Sequence, residues 1–154
     1  ENFQNKKFKD SQFIISLDDP EKKRNIFNKF YKKRDFFNFF AENSFISKNT
    51  KFGTGNIFQR DVKIMSNIII GNHCKFNIDS TIHHDCEIGD FNTFCPGVRL
   101  LGNVKVGNNV FIGSGSTILP NIFIDDNVIV GAGSIVTRNV KKNTKVFGVP
   151  ANEK

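Results

Sequence analysis

From Ile46 onward, every sixth residue is large and apolar. The series runs Ile46, Phe52, Phe58, Ile64, Ile70, Phe76, Ile82, Ile88, Phe94, Leu100, Val106, Ile112, Ile118, Ile124, Val130, Val136, without a slip. The chain is 38% hydrophobic, so chance alone would give such a series on the order of once in several million trials. The period is therefore structural. Four residues after each rung comes a second, smaller set that includes Thr50, Val62, Cys74, Ser80, Cys86, Val98, Val104, Val110, Ser116, Val128, Ser134 and Val140. Residues two apart face the same side of a strand, so this set and the next rung share one interior. Cys74 and Cys86 fall inside it and read as small core fillers, with nothing basic placed to activate them.

A longer period overlies the six. Gly53, Gly71, Gly89 and Gly107 are spaced by eighteen, and Asp125 takes the next slot. Eighteen is three hexads, which describes coils of three short strands and three corners. Pairs such as Gly71-Asn72, Gly89-Asp90 and Gly107-Asn108 are expected to turn the corners by adopting positive φ. Sixteen hexads make a little over five coils, a prism roughly 25 Å tall at about 4.8 Å per coil. Such a stack is held together by neighbouring coils burying each other's apolar edges. The fold class expected is mainly β, a parallel β-helix over 46–141 with a C-terminal tail at 142–154.

Residues 1–45 break the period. Phe13-Ile14-Ile15-Ser16 reads as a short buried strand. Asp19 is placed as an N-cap, with Pro20 at the first helical position and Glu21 in the first turn. The helix is expected to reach about Arg34 and to bury Ile26, Phe27, Phe30 and Tyr31. The run Phe36-Phe37-Asn38-Phe39-Phe40 then leads, extended, into the first coil. This segment is a partial α/β unit (strand, helix, strand), too small to make a sheet of its own.

The bulk properties remove several function classes. Net charge is +7, which suits anionic ligands, yet no zinc finger or RNA-binding motif is present, and one Tyr with no Trp offers little base stacking. A nucleic-acid partner is not expected. No apolar run approaches the roughly 20 residues of a membrane helix. Three cysteines without a C-x-x-C fit a reducing cytoplasm better than a disulfide framework. The chain starts at Glu1 with no initiator Met and no visible signal peptide, which leaves open whether residues precede it.

Chemistry concentrates in Asn77-Ile78-Asp79-Ser80-Thr81-Ile82-His83-His84-Asp85-Cys86. Two of the three histidines stand side by side, followed by a carboxylate. Ile82 and Cys86 point inward, which leaves the polar residues between them on the outer wall or corner. A histidine beside a carboxylate is the usual kit of a general base. A solvated surface histidine is the plain alternative. Adjacent histidines on an extended chain diverge and do not share one ion, so no metal is expected. A flat scaffold would repeat one outward residue on every coil, and here those positions are heterogeneous.

The ladder, the run Ile82-His83-His84-Asp85-Cys86-Glu87-Ile88-Gly89-Asp90-Phe91, then Pro96-Gly97 and a closing Gly148-Val149-Pro150-Ala151, resemble the bacterial hexapeptide acyltransferases. The group resembled is that of the sialic-acid O-acetyltransferases (NeuD) and amino-sugar N-acetyltransferases (PglD), across residues 10–151. The resemblance implies a left-handed β-helix, a homotrimer, and acetyl-CoA lying in a cleft between subunits. It implies His84 as catalytic base, Asp85 as its acidic neighbour and Asn77 as a further catalytic residue. Gly102, Ser114 and Ala132 match positions whose backbone meets the pantetheine arm. Where the family often carries a second histidine near the acetyl group, this chain has Thr93. Residues 10–45 match only the end of the family's Rossmann-like sugar-nucleotide domain, and no G-x-G turn is present. The activity implied is acetyl transfer to an amino sugar, nucleotide-linked, for bacterial surface glycan synthesis. O-acetylation of sialic acid, another sugar or serine is the alternative, and a zinc hydro-lyase, a scaffold or an inactive paralogue are the others. Arg138, Lys141, Lys142 and Lys145, just past the last coil, read either as partners of the CoA phosphates or as a solvated tail.

Overall fold

A rung residue that faces inward at every third of a coil stacks on the rung eighteen residues away, and this is the register observed. A computed structural model describes residues 11–31 and 34–154, the side chains of residues 30 and 31 excepted. The strands form three parallel sheets, the faces of a left-handed parallel β-helix of about six turns. Face one begins with Phe39–Phe40, Ile57–Phe58, Lys75–Phe76 and Thr93–Phe94. Face two contains Thr81–Ile82 between Lys63–Ile64 and Arg99–Leu100, and face three contains Glu87–Ile88 between Ile69–Ile70 and Lys105–Val106. Pairs are in register at eighteen, as in Ile82 beside Leu100 and Ile88 beside Val106.

From Phe58 to Val136 every rung is at most 4% exposed. The two lowest rungs differ: Ile46 is half-buried and Phe52 is 39% exposed. Both lie on the terminal strands of their sheets. The stack also crosses both expected boundaries. Phe39–Phe40 pairs with Ile57–Phe58, so the extended run before residue 46 is already the first strand of face one. Past residue 141, Lys145–Phe147 pairs with Ile129–Val130, and Asn152–Glu153 returns antiparallel against it. On face one the phenylalanines form a column, Phe40, Phe58, Phe76 and Phe94, with stacked rings 4.7–5.0 Å apart.

The corner glycines act through space rather than through φ. The left-handed residues are instead two positions later, at His73, Phe91, Asn109 and Asn127. A Cβ on Gly53, Gly71, Gly89 or Gly107 would stand 2.2–2.6 Å from the side-chain oxygen of Asn72, Asp90, Asn108 or Asp126 in the following coil. Those side chains accept hydrogen bonds from the coil below, as Asp90 does from the Asn72 backbone N–H at 2.7 Å. Glycine leaves them room.

The described part of the N-terminal segment packs on face one. Asp19 caps α1 (Pro20–Ile26) by accepting the Lys22 N–H, with Pro20 in the first turn. The regular helix is shorter than expected: it ends at Ile26 and opens into a wider π turn at Phe27–Tyr31. The expected burial of the Phe30 and Tyr31 side chains lies outside the described residues. The expected strand at 13–16 reduces to one bridge, Phe13 to Phe36, although Ile15 is buried. The largest surprise is Lys23. Its side chain is fully buried, and its Nζ donates to the carbonyls of His73 and Asn92 and to Thr93 Oγ1 at 3.0–3.1 Å. Burial pushes it down to about 8.

Beside it, the His73 ring packs among Phe27, Phe36 and Phe91 with centroids 4.6–5.0 Å apart. Burial first, and the Lys23 charge second, push its imidazole down to about 4. The unfolded chain takes up a proton near 6.5 that the folded chain refuses. Stability is therefore whole above pH 6.5 and falls between 6.5 and 4, by up to about 3 kcal/mol at the low end. His73→Phe repeats the residue found one coil higher at Phe91, in the same left-handed conformation. This variant is expected to lose that acid slope while keeping its melting temperature at pH 7. Thermal melts of both proteins from pH 7 to pH 4.5 check it, and parallel slopes would rule it out.

Candidate active site

The corner between faces two and three carries His83, His84, Asp85 and Cys86. Strand Thr81–Ile82 enters it and Glu87–Ile88 leaves it. The turn needs one left-handed residue per coil, and here that residue is Asp85, at φ 61°. Asp and Asn tolerate this region better than most side chains. The result aims the carboxylate back at its neighbour. Asp85 Oδ2 lies 2.8 Å from His84 Nδ1, and Asn67 Nδ2, one coil below, donates to Asp85 Oδ1 at 3.2 Å. The His84 bond first, then the Asn67 bond, hold the Asp85 carboxyl below the usual carboxylate range.

His84 is open to solvent, its side chain 62% exposed. With Nδ1 committed to a carboxylate, the neutral ring carries its proton there and presents Nε2 as the acceptor. The imidazole lies over Gly102, eighteen residues on. A Cβ on Gly102 would stand 2.6 Å from Cε1, 2.7 Å from Nε2 and 3.3 Å from Nδ1. The backbone of residue 102 is not in the left-handed region, so alanine fits the chain but not the ring. Gly102→Ala is expected to displace the imidazole from Asp85 and lower turnover about tenfold or more, with little change in melting temperature. Steady-state rates and thermal melts check this together. Unchanged turnover would show that the ring pose does not matter.

The other residues expected at the site are on a different corner. Asn77, Ser114 and Ala132 lie between faces one and two, across face two from His84. Asn77 is 7% exposed, and its amide donates to the Phe94 carbonyl at 2.9 Å and lies 3.4 Å from Asp18 Oδ1. Ser114 and Ala132 are exposed and follow Pro96 at intervals of eighteen. Next to them, a Cβ at Gly115 or Gly133 would meet nothing within 4 Å, so this edge is open backbone. One chain therefore holds His84 with Gly102 on one edge, and Asn77, Ser114 and Ala132 on another. Thr93 is on neither: it is fully buried under α1, and its hydroxyl accepts from Lys23. It takes no part in the His84 group.

Asp18 joins Asn77 to the helix, pairing with Lys75 at 2.8 Å. Partial burial pushes its carboxyl up, but the bonds from Lys75 and Asn77 outweigh this and hold it low. A cleft of about 680 Å³ lies between α1 and face one, bounded by Asp18, Arg24, Phe111 and Ile129. It does not include His84. The inward thiols are inert: burial pushes Cys74 up to about 12 and Cys86 up to about 11. Among the described residues no three His, Cys, Asp or Glu side chains converge as a metal site, and no helix is long and apolar enough to cross a membrane.

Residues 103–138 match the bacterial transferase hexapeptide family, six repeats. That match takes in 36 of the 154 residues. Over 76 residues, 49% of its length, the chain is 42% identical to GDP-perosamine N-acetyltransferase of Escherichia coli O157:H7. That match spans 34% of the relative's length. A histidine-to-asparagine variant of perosamine N-acetyltransferase from Caulobacter crescentus, solved with CoA and GDP-perosamine, superposes with a TM-score of 0.90 at 26% identity, covering 94% of this chain and 69% of that one. WeeI from Acinetobacter baumannii AYE superposes at 0.87 and 28% identity, covering 92% and 69%. The hexapeptide-repeat fold of these proteins is thus shared over nearly all of this chain.

Proposed function

We propose that this chain is the acetyl-transfer unit of an acetyl-CoA-dependent N-acetyltransferase, acting on a nucleotide-linked amino sugar in the cytoplasm for surface glycan synthesis. The observation that carries the reading is the open His84–Asp85 pair, its Nε2 unencumbered above Gly102. Likeness to GDP-perosamine N-acetyltransferases supports the acceptor class. His84 Nε2 takes a proton from the acceptor amine as its nitrogen attacks the thioester carbonyl. Backbone N–H groups stabilise the oxyanion. The C–N bond forms, the C–S bond breaks, and CoA leaves as the thiol once the proton passes on. Asp85 holds the tautomer and balances the imidazolium. Metal is not required for any of these steps.

The working form in this reading is a homotrimer. His84 and Gly102 sit on one edge of face two, and Asn77, Ser114 and Ala132 on the other, so a neighbouring copy's edge completes the site. Acetyl-CoA lies along the open backbone of Ser114 and Ala132 in that cleft, with Gly102 against the base.

The test is release of CoA thiol from acetyl-CoA with purified protein and a panel of GDP- and UDP-linked amino sugars, alongside sialic acid, serine and hydroxyl-only sugars. Turnover confined to amine-bearing nucleotide sugars is the expected result. Turnover only with hydroxyl acceptors would move the reading to O-acetylation. No binding of acetyl-CoA by calorimetry would end it in favour of a scaffold.

A further inference from the structure

The outer residues of the corner between faces two and three form a column in the left-handed conformation, Asn67, Asp85, Asn103 and Asn121. Where this column is all amide, each Nδ2 donates upward to the next Oδ1: Asn103 to Asn121 at 2.7 Å. The corner between faces three and one does the same, Asn109 to Asn127 and Asn127 to Asn143 at 2.9 Å. Asp85 interrupts the pattern. It accepts from Asn67 but, having no N–H to offer, cannot donate to Asn103. Its second oxygen goes sideways to His84 instead. A local rule of the fold is thus broken at the residue whose carboxylate bonds the proposed base, and such breaks gather at functional sites.

We propose that Asn67 is a positioning residue for the transfer reaction, its amide anchoring one oxygen of Asp85 so that the other is held on His84 Nδ1. The assignment rests on His84 being the base. Asn67 does not touch the imidazole and acts only through Asp85. A freely rotating carboxylate on an exposed corner would sample several rotamers, and the imidazole would then exchange between its two tautomers. A donor fixed by the coil below removes that freedom on one side, while Gly102 supplies a flat seat for the ring on the other. The direction of the Asp85 shift is consistent with this, since both bonds stabilise the carboxylate.

Asn67→Gly tests it, because glycine accepts the 58° φ of that position and removes only the amide. Loss of one hydrogen bond to a charged group corresponds to a turnover about tenfold lower. The Michaelis constant for acetyl-CoA is expected to stay within about twofold, since the amide is not placed near the cofactor. Asn127→Gly, the same change on a corner away from His84, should leave turnover at the wild-type level. The second readout is independent of activity: ¹⁵N chemical shifts of the three histidine rings. Wild type should show His84 in the Nδ1–H tautomer, and Asn67→Gly a mixture. Wild-type turnover with an unmixed tautomer in Asn67→Gly would overturn the proposal. So would a fall in turnover matched by Asn127→Gly, or one accompanied by a large rise in the Michaelis constant. Failure of the underlying reading looks different, since His84→Ala would then keep its rate.

Discussion

Phe76→Ala should lower the stability of this chain by about 3–5 kcal/mol, one of the largest losses open to a single side chain here. Phe76 is fully buried. Its ring is sandwiched between Phe58, 5.0 Å away and 3° from parallel, and Phe94, 4.7 Å away and 2° from parallel. Truncation removes the apolar transfer term and leaves a void that neighbouring coils cannot close, since each is pinned by its own strand pairing. Two aromatic contacts are lost as well, each worth about 0.5–1.5 kcal/mol beyond area. The melting temperature should fall on the order of 10 °C. Phe40 is the internal control. It belongs to the same column but is 43% exposed at the end of the stack, so Phe40→Ala should cost well under half as much. Melting curves of the two variants side by side decide it. Equal losses would mean that coils do not contribute according to their burial.

The same column explains how far the fold could be read from sequence. Rung residues announce themselves because a strand fixes inward direction by parity, and the coil length of eighteen fixes which rung lies on which. What parity does not reveal is satisfaction of polar groups within the tube. Asn56 and Asn92 occupy inward positions and are fully buried. Both are satisfied, Asn92 by donating to the Gly89 and Gly107 carbonyls and accepting from the Val110 N–H. Nor does it reveal Lys23. Pro20, Lys23 and Phe27 share one helical stripe, and a lysine in the middle of a stripe usually reaches for water; here it meets two carbonyls and a hydroxyl instead.

At the candidate site, His84 and Asp85 were legible because they adjoin in sequence. Asn67 and Gly102 were harder to read in these roles. Each becomes a neighbour only by adding or subtracting eighteen, Gly102 to His84 and Asn67 to Asp85. Counting coils at a corner, rather than along a strand, is the signal that finds them. Thr93, which stands where the resembled family often has a second histidine, lies on face one beneath α1 and accepts from Lys23.

His84→Ala should reduce turnover at least about 10²-fold while leaving the fold and acetyl-CoA affinity nearly intact. The fold survives because the ring is largely exposed and lies against Gly102 of the coil above, so no core volume is removed. Affinity survives because the open edge at Ser114 and Ala132, where the pantetheine arm is proposed to lie, is distant from residue 84 within the chain and belongs to a neighbour's half of the cleft. What disappears is the acceptor for the proton. Without it the amine must lose its proton to water during attack, and the residual rate comes from positioning and oxyanion stabilisation alone. The inward cysteines offer no bypass: Cys74 and Cys86 are buried thiols pushed far above neutral pH. Turnover, the Michaelis constant for acetyl-CoA and the melting temperature of His84→Ala separate these effects. A rate within a few-fold of wild type would remove His84 as the base, and with it the role assigned to Asp85 and Asn67. A lost rate together with a collapsed melting temperature would instead make the corner structural.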